Sequence, residues 1–197
     1  AEKYSLSFVP VGPRSSARWE GVGADERIYA TDPHATPPRA LSVWDGEEFI
    51  THYTSLNRPT PPIEVAPGKV EIFATEGGGP GEDAPVFSRV KIPEKPGHYD
   101  LFLTRHPDKE KWEGVLSFLV PGGESIFPVN HVRLVNMTGF QAASKINGVV
   151  SDADPGQTKL IPIDSDVVTI QAAYRDEDSW NMVMRTRINR DEGARIT

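Results

Sequence analysis

Pro96-Gly97-His98-Tyr99-Asp100-Leu101-Phe102-Leu103-Thr104 reads as a tight turn that opens directly into a strand. Proline presets φ at the first central position of a turn, and glycine accepts the positive φ that a type II turn needs at the next. Beyond the turn, Tyr99, Leu101 and Leu103 recur with the period of two that places alternate side chains on one face, with Phe102 on the other. The same unit occurs at Pro67-Gly68 before Lys69–Ala74, and at Pro155-Gly156 before Gln157–Ile163. The intervals between the three differ, so they mark turns rather than a solenoid or propeller repeat.

Strand patterns continue on either side. Tyr4, Leu6 and Phe8 alternate with Ser5, Ser7 and Val9 near the start. Leu41–Trp44 and Glu47–Tyr53 flank Asp45-Gly46, a pair suited to the two positive φ angles of a type I′ hairpin, and Asn147-Gly148 is a second such pair. The stretch from Gly12 to Pro38 is rich in glycine, proline and charge, with Arg27–Thr31 as its one strand. Gly77–Gly81 reads as a flexible connection, because it lacks both the Lys-Ser/Thr ending and the following helix of a phosphate loop. In Trp180–Ile188, alternation places Met182, Met184 and Ile188 on one face and Val183, Arg185 and Arg187 on the other.

No segment carries a sustained helical period, and roughly a dozen short strands separated by turns suit a sandwich or barrel. The expected fold is all-β, an antiparallel β-sandwich, immunoglobulin-like or related. Pro121-Gly122-Gly123 is the best internal boundary. It suggests a sandwich unit at 1–122 and a smaller unit packed on it at 123–197, with a single domain at 1–197 as the alternative.

The chain has 197 residues, 18 of them proline, and these are spread between strands, as edge-protecting and turn-forming prolines are. A net charge of −7 argues against a nucleic-acid partner, which calls for a concentrated basic footprint. The C-terminal arginines Arg175, Arg185, Arg187, Arg190 and Arg195 are interleaved with Asp176, Glu177, Asp178, Asp191 and Glu192, the pattern of a solvated, salt-bridged face. There is no cysteine, hence neither disulfide nor thiolate metal site, and no apolar run long enough for a membrane helix. Ala1-Glu2-Lys3-Tyr4, directly before a strand, has the look of a mature end left by signal-peptide removal, so the expected location is exported: periplasmic, outer surface or secreted.

Candidate chemistry is sparse. The five histidines include no His-Glu-x-x-His pair. Their best constellation is His98, Asp100, His106 and Asp108: His98 and Asp100 share a strand face, and a metal ion needs His106-Pro107-Asp108 to fold back toward them. The plainer reading is surface and turn roles. Paired acids such as Asp152/Asp154 and Asp164/Asp166 sit in expected turns, where aspartate bonds to nearby amides. Neither Gly-x-Ser-x-Gly nor a supported Ser-x-x-Lys occurs. Trp19 and Trp112 lie in polar loop contexts and are the candidates for exposed, ligand-stacking aromatics; Trp44 and Trp180, at strand ends, are expected to be partly buried. Asn136-Met137-Thr138 matches a glycosylation sequon, but inside an expected strand it is incidental.

Ile126–Thr138, followed by Ile146-Asn147-Gly148 and Asp154-Pro155-Gly156, resembles a pattern found in uncharacterised exported bacterial β-rich, immunoglobulin-like proteins. The resemblance covers residues 126–197 and implies an envelope-associated β unit; it transfers no catalytic residue. The combined expectation is a non-catalytic cell-envelope or extracellular interaction or structural protein, with no cofactor and a protein or glycan partner. The alternatives are a carbohydrate-binding module using Trp19 or Trp112, and a metal-dependent enzyme centred on His98 and His106.

Overall fold

The computed structural model describes residues 3–12, 18–21, 27–30, 36–189 and 197, with 18–21 and 27–30 described by their backbone alone. Every regular element among them is a strand, and the chain divides into two compact units, Ala1–Pro121 and Gly122–Thr197. Ala1 and Glu2, on which the expected processed terminus rests, lie outside the described residues, as do Arg190, Asp191, Glu192 and Arg195.

The first unit holds β1 (Tyr4–Val11), β2 (Arg18–Gly21), β3 (Arg27–Ala30), β4 (Ala40–Trp44), β5 (Phe49–Tyr53), β6 (Ile63–Glu64), β7 (Gly68–Thr75), β8 (Val86–Ile92), β9 (Gly97–Thr104) and β10 (Leu116–Pro121). Two four-stranded sheets, β10-β9-β1-β6 and β5-β4-β7-β8, share one core. Leu6 and Phe8 of β1 and Tyr99, Leu101 and Leu103 of β9 meet Leu41 and Val43 of β4 and Val70 and Ile72 of β7. The alternation read from Pro96–Thr104 is therefore that of a sandwich strand, with the expected residues inward.

Two details differ from expectation. β1 runs parallel to β9, from Tyr4↔Gly97 to Val11↔Thr104, whereas the other pairings are antiparallel. A parallel pair needs a long crossover, and here the chain between the two strands builds the opposite sheet. The glycine- and charge-rich stretch also holds a second strand, β2, paired with β3.

β6 covers β1 only at Ser5 and Leu6. Past that point the proline-rich segment continues the edge: the Thr60 amide donates to Phe8 O at 2.9 Å, the Phe8 amide to Thr60 Oγ1 at 3.0 Å, and the Asn57 amide to Pro10 O at 2.7 Å. Pro10 sits where its missing N–H faces this loop side rather than β9, which is how a proline fits an inner strand.

The second unit holds β11 (His131–Val135), β12 (Ala142–Ile146), β13 (Val149–Ala153), β14 (Thr158–Pro162), β15 (Val167–Asp176) and β16 (Ser179–Asn189). A β11-β14 ribbon and a β13-β12-β15-β16 sheet enclose a small core of Val132, Ile146, Ile161, Ile163, Val168 and Ile170. The Asn147-Gly148 hairpin is as read, with φ of 47° and 89°. Pro155-Gly156 is a closed turn, with φ of 79° at Gly156 and the Gln157 amide donating to Asp154 O at 3.0 Å. Asp45-Gly46 is not a two-residue turn. Only Gly46 has positive φ, and Asp45 Oδ1 accepts the Glu47 and Glu48 amides at 2.8 and 2.9 Å, which makes a four-residue loop.

The face assignment in β16 also changes. Ala172 pairs with Met184 and Ala173 with Met182, so Val183 is an extra residue in a β-bulge. Phase shifts by one there, and Trp180 and Met182 join the face of Arg185 and Arg187, while Met184 stays with Ile188.

With so small a core, polar anchors matter. Asn136 is buried just past β11; its Nδ2 donates to Phe140 O at 2.8 Å and Ala153 O at 2.9 Å, and its Oδ1 accepts from the Thr138 amide and hydroxyl at 3.0 and 2.8 Å. The sequon is thus a structural turn whose acceptor nitrogen is fully engaged. Asn136→Ala is expected to destabilise the second unit by about 2–4 kcal/mol, since it strands buried carbonyls and an amide, as read by denaturant unfolding.

Candidate functional site

The four residues proposed for a metal form two separate pairs. His98 and Asp100 share the outer face of β9, with His98 Nε2 3.1 Å from Asp100 Oδ1. His106 and Asp108 lie in a turn beyond the other end of β9, with His106 Nδ1 3.7 Å from Asp108 Oδ2. About 20 Å of extended strand separates His98 from Thr104, so the turn does not fold back to complete a site. No group of three or more His, Asp or Glu side chains is placed to hold a metal among the described residues. The four-residue metal centre is corrected to two local pairs.

The first pair has a further member. Ser5, directly opposite His98 across the parallel ladder, places its hydroxyl 3.0 Å from His98 Nδ1. With the ring proton on Nε2, Asp100 accepts from the imidazole and the imidazole accepts from Ser5. Serine, imidazole and carboxylate in line is the order used by general-base nucleophilic catalysis. Catalysis also needs donors aimed at a developing oxyanion. Among the described residues, Ser5 and His98 face each other along the β1–β9 ladder, and His98 gives the buried Asp100 a hydrogen-bond partner.

The aromatic residues are distributed differently from expectation. Trp112 is only 9% exposed and belongs to the core of the first unit. Its charged neighbours Lys109, Glu110, Lys111 and Glu113 stay in solvent while the indole turns inward as an anchor for the loop, so its assignment as an exposed platform is corrected. The backbone of Trp19 lies in β2; its side chain lies outside the described residues. Trp44 keeps 50% of its surface open, and Tyr53 63%.

These two belong to a cluster on the outer face of the β5-β4-β7 sheet. Cross-strand partners Trp44 and Phe49 pack edge to face with ring centroids 5.1 Å apart, and Phe49 packs likewise on Phe73 of β7 at 5.7 Å. Farther along β5, Arg39 lies over the Tyr53 ring at 5.7 Å. Such contacts hold rings in fixed orientations while leaving surface free.

The glycine-rich loop lies on this face. Gly78 O accepts from both Ser42 and Thr51 hydroxyls at 3.3 Å, which explains why Ser42, on the outer face, is fully buried. Gly77 has φ of 132°, and a Cβ there meets Tyr53 Oη at 2.8 Å; a Cβ at Gly79 lies 3.7 Å from Phe49 Cβ. Glycine is therefore favoured at Gly77 by its positive φ and by close approach to the Tyr53 ring, whereas Gly79 stands at ordinary contact distance from Phe49. Sequence reasoning missed Phe49, Tyr53 and this loop, although Phe49, Thr51 and Tyr53 on one strand face were a usable signal.

The β4–β5 loop closes the platform next to Trp44. Backbone donation from Glu48 and then Glu47 holds the Asp45 carboxyl below its ordinary 3.8.

No family model and no curated protein matches the chain. Among solved structures it is similar to a DUF3823 family protein from Bacteroides ovatus, with 8% identity over 95% of this chain and 98% of that chain and a TM-score of 0.25. A likeness of that size carries no argument about this chain.

Two outcomes test the site's construction. A folded value below 3.8 means that Asp45 stabilises its loop fully above the unfolded value and loses that effect as pH falls through the folded one; a carboxyl titration by NMR is expected to place its midpoint below 3.8. Gly77→Ala is expected to cost about 1–3 kcal/mol in thermal or denaturant unfolding, from positive φ and the Tyr53 contact together. Gly78→Ala, with open space around it and no positive φ, is the near-neutral control.

Proposed function

We propose that this is a non-catalytic interaction protein of the cell envelope or extracellular space, which binds a glycan through the aromatic face formed by Trp44, Phe49 and Tyr53. The observation that carries the proposal is that face: two open rings set by edge-to-face packing and a cation over Tyr53, on a rigid sheet. Sugar rings present apolar C–H faces that stack on such platforms. The exported setting is supported by the resemblance of residues 126–197 to exported bacterial β proteins.

A protein partner is the second reading, favoured by the same residues, since Trp, Tyr and Arg dominate binding hot spots. Retention on immobilised polysaccharides and a glycan array separate the two. Trp44→Ala and Tyr53→Ala are expected to weaken glycan binding roughly tenfold or more each, about 1.4 kcal/mol, with unfolding midpoints nearly unchanged. His98→Ala is expected to leave binding intact. Absence of glycan retention, or retention indifferent to both aromatic substitutions, rules out the glycan reading.

A further inference from the structure

The second unit ends its sheet in an eleven-residue strand, β16, which pairs with β15 alone among the described residues. Edge strands invite pairing with another chain unless charge, proline or a bulge protects them. In β16 the protection is uneven. Its second half carries Arg185 and Arg187, and Val183 forms the bulge, but the first half exposes Trp180, Met182 at 64% and Val183 at 61%.

Charge along the edge is polarised as well. Asp176, the last residue of β15, and the turn residues Glu177 and Asp178 lie at one end of β16, and Arg185 and Arg187 lie toward the other, with the apolar residues between. Among the described residues neither Arg185 nor Arg187 has an ion-pair partner, whereas Asp178 lies 3.7 Å from Arg175 in an exposed pair. A parallel neighbour of identical sequence sets acid beside acid and base beside base. An antiparallel one sets the acidic turn of each copy beside the arginines of the other, twice by symmetry.

We infer that β16 is the contact edge of a homodimer, in which a second copy of this chain pairs antiparallel to it and joins two four-stranded sheets into one. The bulge is consistent with this arrangement. It places Trp180 and Met182 on the face of Arg185 and Arg187, so the face-matched antiparallel register that sets Trp180 opposite Arg185 of the second copy also sets Asp178 beside Arg187. Indole against guanidinium is a favourable contact there. The pairing satisfies the backbone groups of the edge that have no strand partner among the described residues and removes the exposed apolar half from water.

The test is sedimentation equilibrium of the full chain over a concentration series. A reversible monomer–dimer equilibrium is expected, weakening as salt rises because the end contacts are charged. Arg185→Glu with Arg187→Glu, and separately Asp176→Lys with Glu177→Lys and Asp178→Lys, are each expected to raise the dimer dissociation constant roughly tenfold or more. An equimolar mixture of the two variants restores an affinity near that of the original chain, since both end contacts regain opposite charge. A chain that stays monomeric throughout overturns the inference, as does a dimer indifferent to both charge reversals, or variants whose mixture fails to associate. Should either variant unfold in a melting check, the salt series on the unaltered chain decides: a salt-independent dimer overturns it.

Discussion

In a chain without cysteine the larger unit depends on how β1 is held, because this strand contributes Leu6 and Phe8 to the core and joins two segments remote in sequence. On one edge it is paired along its whole length with β9. On the other, β6 pairs with two residues, and Thr60 and Asn57 supply the remaining partners one by one. A buried amide or carbonyl left unpaired costs about 1–3 kcal/mol, so those loop contacts are as necessary as a regular ladder. The prolines at 59, 61 and 62 fit this arrangement: they stop a strand from forming while keeping the segment extended alongside β1.

Much of this architecture was legible in the sequence. Tyr99, Leu101 and Leu103 announced their face, Asn147-Gly148 its hairpin, and Pro155-Gly156 its turn, because each rests on a local rule of backbone geometry or alternation. The parallel β1–β9 register was not legible, since pairing between distant strands leaves no mark on either. Asp45-Gly46 misled because the aspartate carboxylate captured two amides and enlarged the turn. In β16 a single bulged residue reversed the faces that alternation assigns, and no local pattern signals an insertion of one residue.

The candidate site was less legible for a related reason. Polar neighbours suggested that Trp112 is exposed, yet a loop buries an anchor most easily where everything around it prefers water, and the indole went inward. A run of glycines suggested mobility, yet Gly77 sits at positive φ directly against the Tyr53 ring. His98 and Asp100 were correctly placed on one face, but the third member was Ser5, ninety-three positions away and joined only by the parallel ladder. Composition describes what a residue tolerates; the partner that uses that tolerance comes from topology.

The two units also differ in how they treat their surfaces. In the first, Pro121 ends the β10 edge, Lys69, Glu71 and Arg89 form an ion-pair ladder across β7 and β8, and the glycine loop roofs the face beside β5. Trp44 and Tyr53 remain half or more exposed on this face, beside the glycine loop that covers Ser42. In the second, β16 pairs only with β15 among the described residues and exposes Trp180, Met182 and Val183 in its first half. A surface of that kind is satisfied by a strand, and the acidic and basic ends that flank it determine which direction that strand must run.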